Sequence, residues 1–122
     1  MTINNQPRRL RRGSRLRALV QDVNLNINNF IYPLFIRAGQ NERKEIKSMP
    51  GVAQLSSDLA LEEIKRLSDQ GVRNFILFAV VDRSLKDAVG SHALSAENPV
   101  MQTLAAVRSA DLDVLMLSLI HI

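Results

Sequence analysis

Three apolar runs, separated by polar stretches, set the plan of this chain. Phe75, Ile76, Leu77, Phe78, Ala79, Val80 and Val81 form an unbroken run. It does not alternate, so it predicts a parallel strand over Arg73–Val81 that is covered on both faces. Its shortness and its β-branched and aromatic content favour a strand over a buried helix. Phe30–Ile36 predicts an earlier strand, with Pro33 expected near its start or at an irregular spot, because proline has no ladder donor. Leu112–Leu117 predicts a later one. Between the runs the spacing turns helical. Ala60, Leu61, Ile64 and Leu67 form one stripe of a helix predicted over Leu55–Gln70. Ser56 or Ser57 is its expected cap, Asp58 suits the helix dipole in the first turn, and Gly71 ends it. Asn98 and Pro99 predict the cap and first position of a second helix, with Val100, Met101, Leu104, Ala105 and Val107 facing inward. A short helix through Val20 is expected near the N-terminus, capped by Ser14.

The order is β-α-β-α-β, an α/β pattern that sets three parallel strands side by side through right-handed crossovers. Asn24–Asn29 and Arg37–Lys47 read as polar connections, and Ser48–Gly51 as a turn in which Pro50 presets φ and Gly51 takes a positive one. After Val81 the chain becomes polar through Asp82, Arg83, Ser84, Lys86, Asp87, Gly90 and Ser91. Loops at the C-terminal ends of parallel strands hold ligands in α/β folds. His92 in this loop is a candidate ligand or acid–base group, with a solvated imidazole as the ordinary reading. Asp82, Asp87 and Glu97 could gather around a divalent cation, although loop carboxylates are usually only solvated. Met49 and Met101 read as packing residues.

Composition narrows the classes. Among 122 residues there is no Cys, which excludes a disulfide framework and thiolate metal ligation within this sequence. No apolar stretch reaches the roughly 18 residues of a membrane span, and no apolar signal core opens the chain, so a cytoplasmic setting is expected. The net charge of +4 comes from Arg8, Arg9, Arg11, Arg12, Arg15 and Arg17. The remaining ten basic and twelve acidic residues leave the body at −2. The basic arm suits a protein contact better than a nucleic acid, because no aromatic residue is interleaved with its arginines and the body lacks a basic face.

Three strands and two helices leave both sheet edges unpaired, so the chain is expected to fold poorly by itself. A barrel of eight strands takes about 250 residues. No G-x-G-x-x-G or Walker pattern follows any of the runs. The arm Pro7-Arg8-Arg9-Leu10-Arg11 with Leu16-Arg17, the run Ile31-Tyr32-Pro33-Leu34-Phe35, the turn Ser48-Met49-Pro50-Gly51-Val52, and the loop pieces Ser84-Leu85-Lys86-Asp87 and Gly90-Ser91 resemble the N-terminal third of the δ-aminolevulinic acid dehydratase (porphobilinogen synthase) family. The resemblance runs from Pro7 to Met116.

It implies an N-terminal arm over residues 1–29 and an incomplete TIM (β/α)8 barrel over 30–116. It implies an enzyme condensing two 5-aminolevulinate molecules to porphobilinogen in tetrapyrrole and haem synthesis, assisted by Zn²⁺ or Mg²⁺, and a homo-octamer whose arm wraps a neighbour. It also implies two active-site lysines, at least one forming a Schiff base. Those lysines and the metal-binding segment lie on family strands with no counterpart here. Lys44, Lys47, Lys65 and Lys86 do not match them, and no catalytic, cofactor or metal role is carried onto any residue. Leu119 stands where the family places an Asp. The ending Leu117–Ile122, LSLIHI, resembles a translated sequencing adapter, so 117–122 is expected to be a non-native tail that includes His121. This fragment alone is expected to be inactive. The rival reading is a small non-enzymatic module that binds nucleic acid or a protein through Arg8–Arg17.

Overall fold

The computed structural model describes residues 8–118. Its strands are β1 (Ile31–Arg37), β2 (Arg43–Glu45), β3 (Ala53–Leu55), β4 (Asn74–Val80) and β5 (Leu115–Ser118). Its α-helices are α1 (Ser14–Leu19), α2 (Ser57–Asp69) and α3 (Pro99–Ser109). The strands form one sheet in the order β2-β3-β1-β4-β5. The three expected strands lie side by side and parallel, with Tyr32 opposite Phe75 and Phe75 opposite Met116.

The hairpin of β2 and β3 is an addition, formed where the polar pattern predicts only a connection. Its turn behaves as read: Val52 N–H donates to the Met49 carbonyl at 3.0 Å, with Gly51 at φ +82°, the arrangement of a type II turn. β3 then pairs with β1 in parallel, but only at Phe35 and Ile36. Pro33 is in register with Ile76 of β4 but has no partner on the β3 side among the described residues, so β1 has an open edge at the residue that lacks a donor.

Both long helices end as the residues dictate. The Val72 N–H reaches the Leu67 carbonyl at 3.0 Å and the Gly71 N–H reaches Ser68 at 2.9 Å. With Gly71 at φ +97°, this is a Schellman ending. Asn98 caps α3 by accepting from Val100 N–H at 2.9 Å, with Pro99 at the first position. Two expected caps differ. Gly13, not Ser14, precedes α1 as its cap residue. Ser56 holds the cap position of α2, but its side chain caps nothing. Its hydroxyl instead accepts from the Glu42 N–H at 3.0 Å, while its own N–H donates to the Glu42 carbonyl at 3.0 Å. This reciprocal pair ties the hairpin to the start of α2.

Helices cover one face of the sheet only. Leu34, Ile36, Phe75 and Leu77 lie there, at most 3% exposed, against Ala60, Ile64 and Val107. Full burial of such side chains contributes roughly 1.5–3 kcal/mol each. The other face carries Phe35, Ile76, Phe78 and Val80, each only half-buried. The expectation of cover on both sides of β4 thus holds for one side. On α3 the inward positions are Val100, Thr103 and Val107, whereas Met101 and Ala105 are exposed. Thr103 is tolerated inside because its hydroxyl donates to the Pro99 carbonyl at 2.8 Å. Met49 is also exposed and does not serve the core.

Candidate functional site at the C-terminal mouth of the sheet

β1 and β4 run parallel and end together, Arg37 opposite Val80. Beyond these ends, the 82–98 loop, the hairpin and the start of α3 border an open cavity of about 680 Å³. Arg37, Lys44, Arg83 and Lys86 line it, against the two carboxylates of Asp82 and Glu97. A second, more apolar hollow of about 370 Å³ lies beside it under Phe78 and Ala93. Leu85, Lys86 and His92 border both.

The loop is held by its own polar residues. The Asp82 carboxylate accepts from Arg83 N–H at 3.1 Å and opens the turn Arg83–Leu85. The Asp87 carboxylate accepts from Ser91 N–H at 2.9 Å, around Gly90 at φ +67°. The Ser91 side chain, then its backbone, hold the Asp87 carboxyl below its ordinary value. The buried Asn98 side chain donates to the His92 carbonyl at 3.2 Å, fixing the loop to α3.

These bonds redefine the sequence candidates. Asp82 and Asp87 are turn residues, each satisfying a backbone donor. No group of three His, Asp or Glu side chains that could hold a metal occurs among the described residues. His92 is half-buried at the cavity wall, not freely solvated, and its ring has no hydrogen-bond partner among the described residues. His121 lies outside the described residues, as do residues 1–7. Lys47 and Lys65 do not line this cavity.

Arg37 enters the site unannounced by any motif. Its Nε lies 3.2 Å from Glu42 Oε2, and Glu42 is locked by Ser56. Asn41, at φ +51°, donates its N–H to the Asp58 carboxylate at 2.8 Å. The Ser56 side chain foremost lowers the Asp58 pKa; partial desolvation opposes it, and the Asn41 N–H adds to the lowering. The signal in sequence was its place at the end of an apolar run, where barrel ligands are met.

At the other end of the chain, Arg8–Arg11 form a 3-10 turn ahead of α1. None of the arm's arginines makes an ion pair among the described residues. Leu19, Val23 and Leu25 nearby are strongly exposed.

The family model for Delta-aminolevulinic acid dehydratase matches residues 4–120. A Delta-aminolevulinic acid dehydratase of Chlamydia pneumoniae is 36% identical over 110 residues, covering 90% of this chain and 33% of its own. One from Helicobacter pylori is 38% identical over 112 residues, covering 91% and 34%. A crystal structure of the Toxoplasma gondii enzyme, in complex with the reaction product porphobilinogen, superposes with a TM-score of 0.84 at 32% identity. That superposition covers 96% of this chain and 33% of the other. The chain thus spans about a third of the length of these relatives. Its sheet, covered by helices on one side, is an incomplete TIM barrel.

Proposed function

The chain belongs to the delta-aminolevulinic acid dehydratase family, and from that premise we propose that it forms the opening third of a porphobilinogen synthase. The whole enzyme condenses two 5-aminolevulinate molecules to porphobilinogen in tetrapyrrole and haem synthesis. The observation that carries this reading is co-linearity: one uninterrupted stretch follows the family from arm to third barrel strand. Because the family pattern includes the arm, the arginines need no separate nucleic-acid role.

In this reading, residues 1–29 are an oligomer arm and 30–116 a partial barrel. Residues 117–122 are read as a non-native tail from the LSLIHI string alone, although the family match runs to residue 120 and Leu117 and Ser118 continue the ladder opposite Ile76 and Leu77. The exposed Leu19, Val23 and Leu25 suit burial against a neighbouring subunit of a homo-octamer. No helix of the described residues is long and apolar enough to cross a membrane, which is compatible with a cytoplasmic enzyme. The chemistry calls for a desolvated lysine whose depressed pKa leaves a free amine to attack a ketone. That lysine comes from strands outside this stretch. Among the described residues no group of three His, Asp or Glu gathers that could hold the family's Zn²⁺ or Mg²⁺; in this reading the metal is held by strands outside this stretch.

The test is turnover of 5-aminolevulinate, followed by porphobilinogen release. The full-length gene product is expected to form it, and the 122-residue chain to form none. Product from the chain alone, or none from the full-length protein, overturns the reading.

A further inference from the structure

We propose that Asn74, at the foot of β4, sets the direction in which the N-terminal arm leaves the sheet, and so aims the arm's apolar residues at a second copy of this chain. The inference rests on the oligomer-arm reading above and adds the residue that positions the arm.

The arm is tied to the body at one place. None of residues 8–30 is buried. Outside the sheet ladder, the hydrogen bonds that join these residues to the body, among the described residues, both come from one side chain. The Asn74 carboxamide donates to the Asn28 carbonyl at 2.8 Å and to the Phe30 carbonyl at 3.2 Å. The turn it grips is already formed. Asn26 caps the 3-10 turn Ile27–Asn29 by accepting from the Asn28 N–H at 2.9 Å, and the Phe30 N–H closes it on the Ile27 carbonyl at 3.2 Å. Gly71 completes the seat. Ile27 Cδ1 lies 3.4 Å from where a Cβ of Gly71 would stand, so the turn rests on the bare backbone that ends α2. The neighbouring Arg73 is committed elsewhere, to the Asp113 carboxylate at 2.6 Å, and leaves the arm to Asn74.

Two donors on one rigid carboxamide fix two points of a turn, and two points fix its orientation. Both bonds are open to solvent, so water replaces them at small net cost. What their loss removes is preorganisation. Beyond the seat, Leu19, Val23 and Leu25 are 80%, 72% and 84% exposed. A pivoting arm must be ordered by the neighbour on contact, which weakens binding without removing any contact. In a two-fold pair each copy gives one arm and receives one, so the penalty counts twice.

The test measures self-association of the full-length gene product by sedimentation across a dilution series, with hydrogen exchange alongside. Asn74→Ala is expected to weaken association about a hundredfold, from about tenfold per arm. Exchange at the Asn29 and Phe30 amides should quicken about tenfold, while the Phe75 and Leu77 amides of β4 keep their protection. Asn74→Asp has the same size but no donors and should match Asn74→Ala. Asn74→Gln keeps both donors and should recover part of the loss. Unchanged association in Asn74→Ala overturns the proposal. So does an equal loss of protection in β4, which would mark damage to the sheet and not to the arm's direction. An unsubstituted full-length protein that sediments as a monomer throughout removes the oligomer-arm reading and this inference with it; an assembly indifferent to both Asn74→Ala and Asn74→Asp removes the inference alone.

Discussion

The two faces of the sheet are built from similar residues and end in different states. Phe75 and Leu77 are 0% and 1% exposed beneath α2 and α3, while Ile76 and Phe78, their neighbours along β4, stay half-open. Hydrophobicity does not explain the difference, since both sets are large and apolar. Connectivity does. Helix α2 starts directly after β3 and α3 follows β4 through the 82–98 loop, so the outer layer of the barrel comes from the same stretch of chain as its strands. The inner layer must wait for strands from the rest of the ring. Phe35 and Phe78 already stack across that inner face, with centroids 5.3 Å apart and planes at 21°. They do so as a platform, not as a core.

The largest expected effect lies on the covered face. Phe75→Ala should cost about 3–5 kcal/mol in urea unfolding of the chain, through lost burial and the cavity left behind. An intermediate effect tests the tie between hairpin and α2. Ser56→Ala leaves the Glu42 N–H without its acceptor and should cost about 1–3 kcal/mol in the same assay. Phe78→Ala probes the bare face: a loss below about 1 kcal/mol in the isolated chain should grow into the range of a core substitution once the barrel is closed. Equal losses in chain and full-length protein would erase the distinction between the faces.

The smallest effect is a pH dependence. Asp58 and Asp87 both titrate below their ordinary value of 3.8. The folded carboxyls therefore bind protons less readily than the unfolded ones. Their contribution is fully present above that value and disappears as acid carries the pH through the lowered ones. Melting temperature followed from pH 5 downward should fall less steeply in Asp58→Asn than in the unsubstituted chain. An identical slope would remove the role given to Asp58.

What could be read from residues follows the same division. Strands β1, β4 and β5 and helices α2 and α3 announce themselves through apolar runs, stripes, Gly71 and Asn98-Pro99. These signals are local, and local signals survive without the rest of the barrel. The β2–β3 hairpin was missed because Arg43-Lys44-Glu45 carries no apolar alternation at all; backbone pairing alone makes it a strand. Thr103 was missed because its burial depends on a hydroxyl bond within its own helix. Asp82 and Asp87 read as cation candidates but act as turn caps, a role that their position just before short polar turns could have disclosed. Arg37 and Lys86 come together only through the parallel alignment of two strands and a folded loop, which no spacing rule encodes.

The sheet's two borders have unlike fates. β2 is three residues long, fully exposed and charged, features that discourage further pairing. β5 instead offers Leu115 and Leu117, 57% and 37% exposed, along an edge that no other described strand pairs. A sheet sticky on one margin and blunt on the other cannot propagate. Concentrated solutions of this chain should accordingly plateau at pairs joined margin to margin instead of lengthening into fibres.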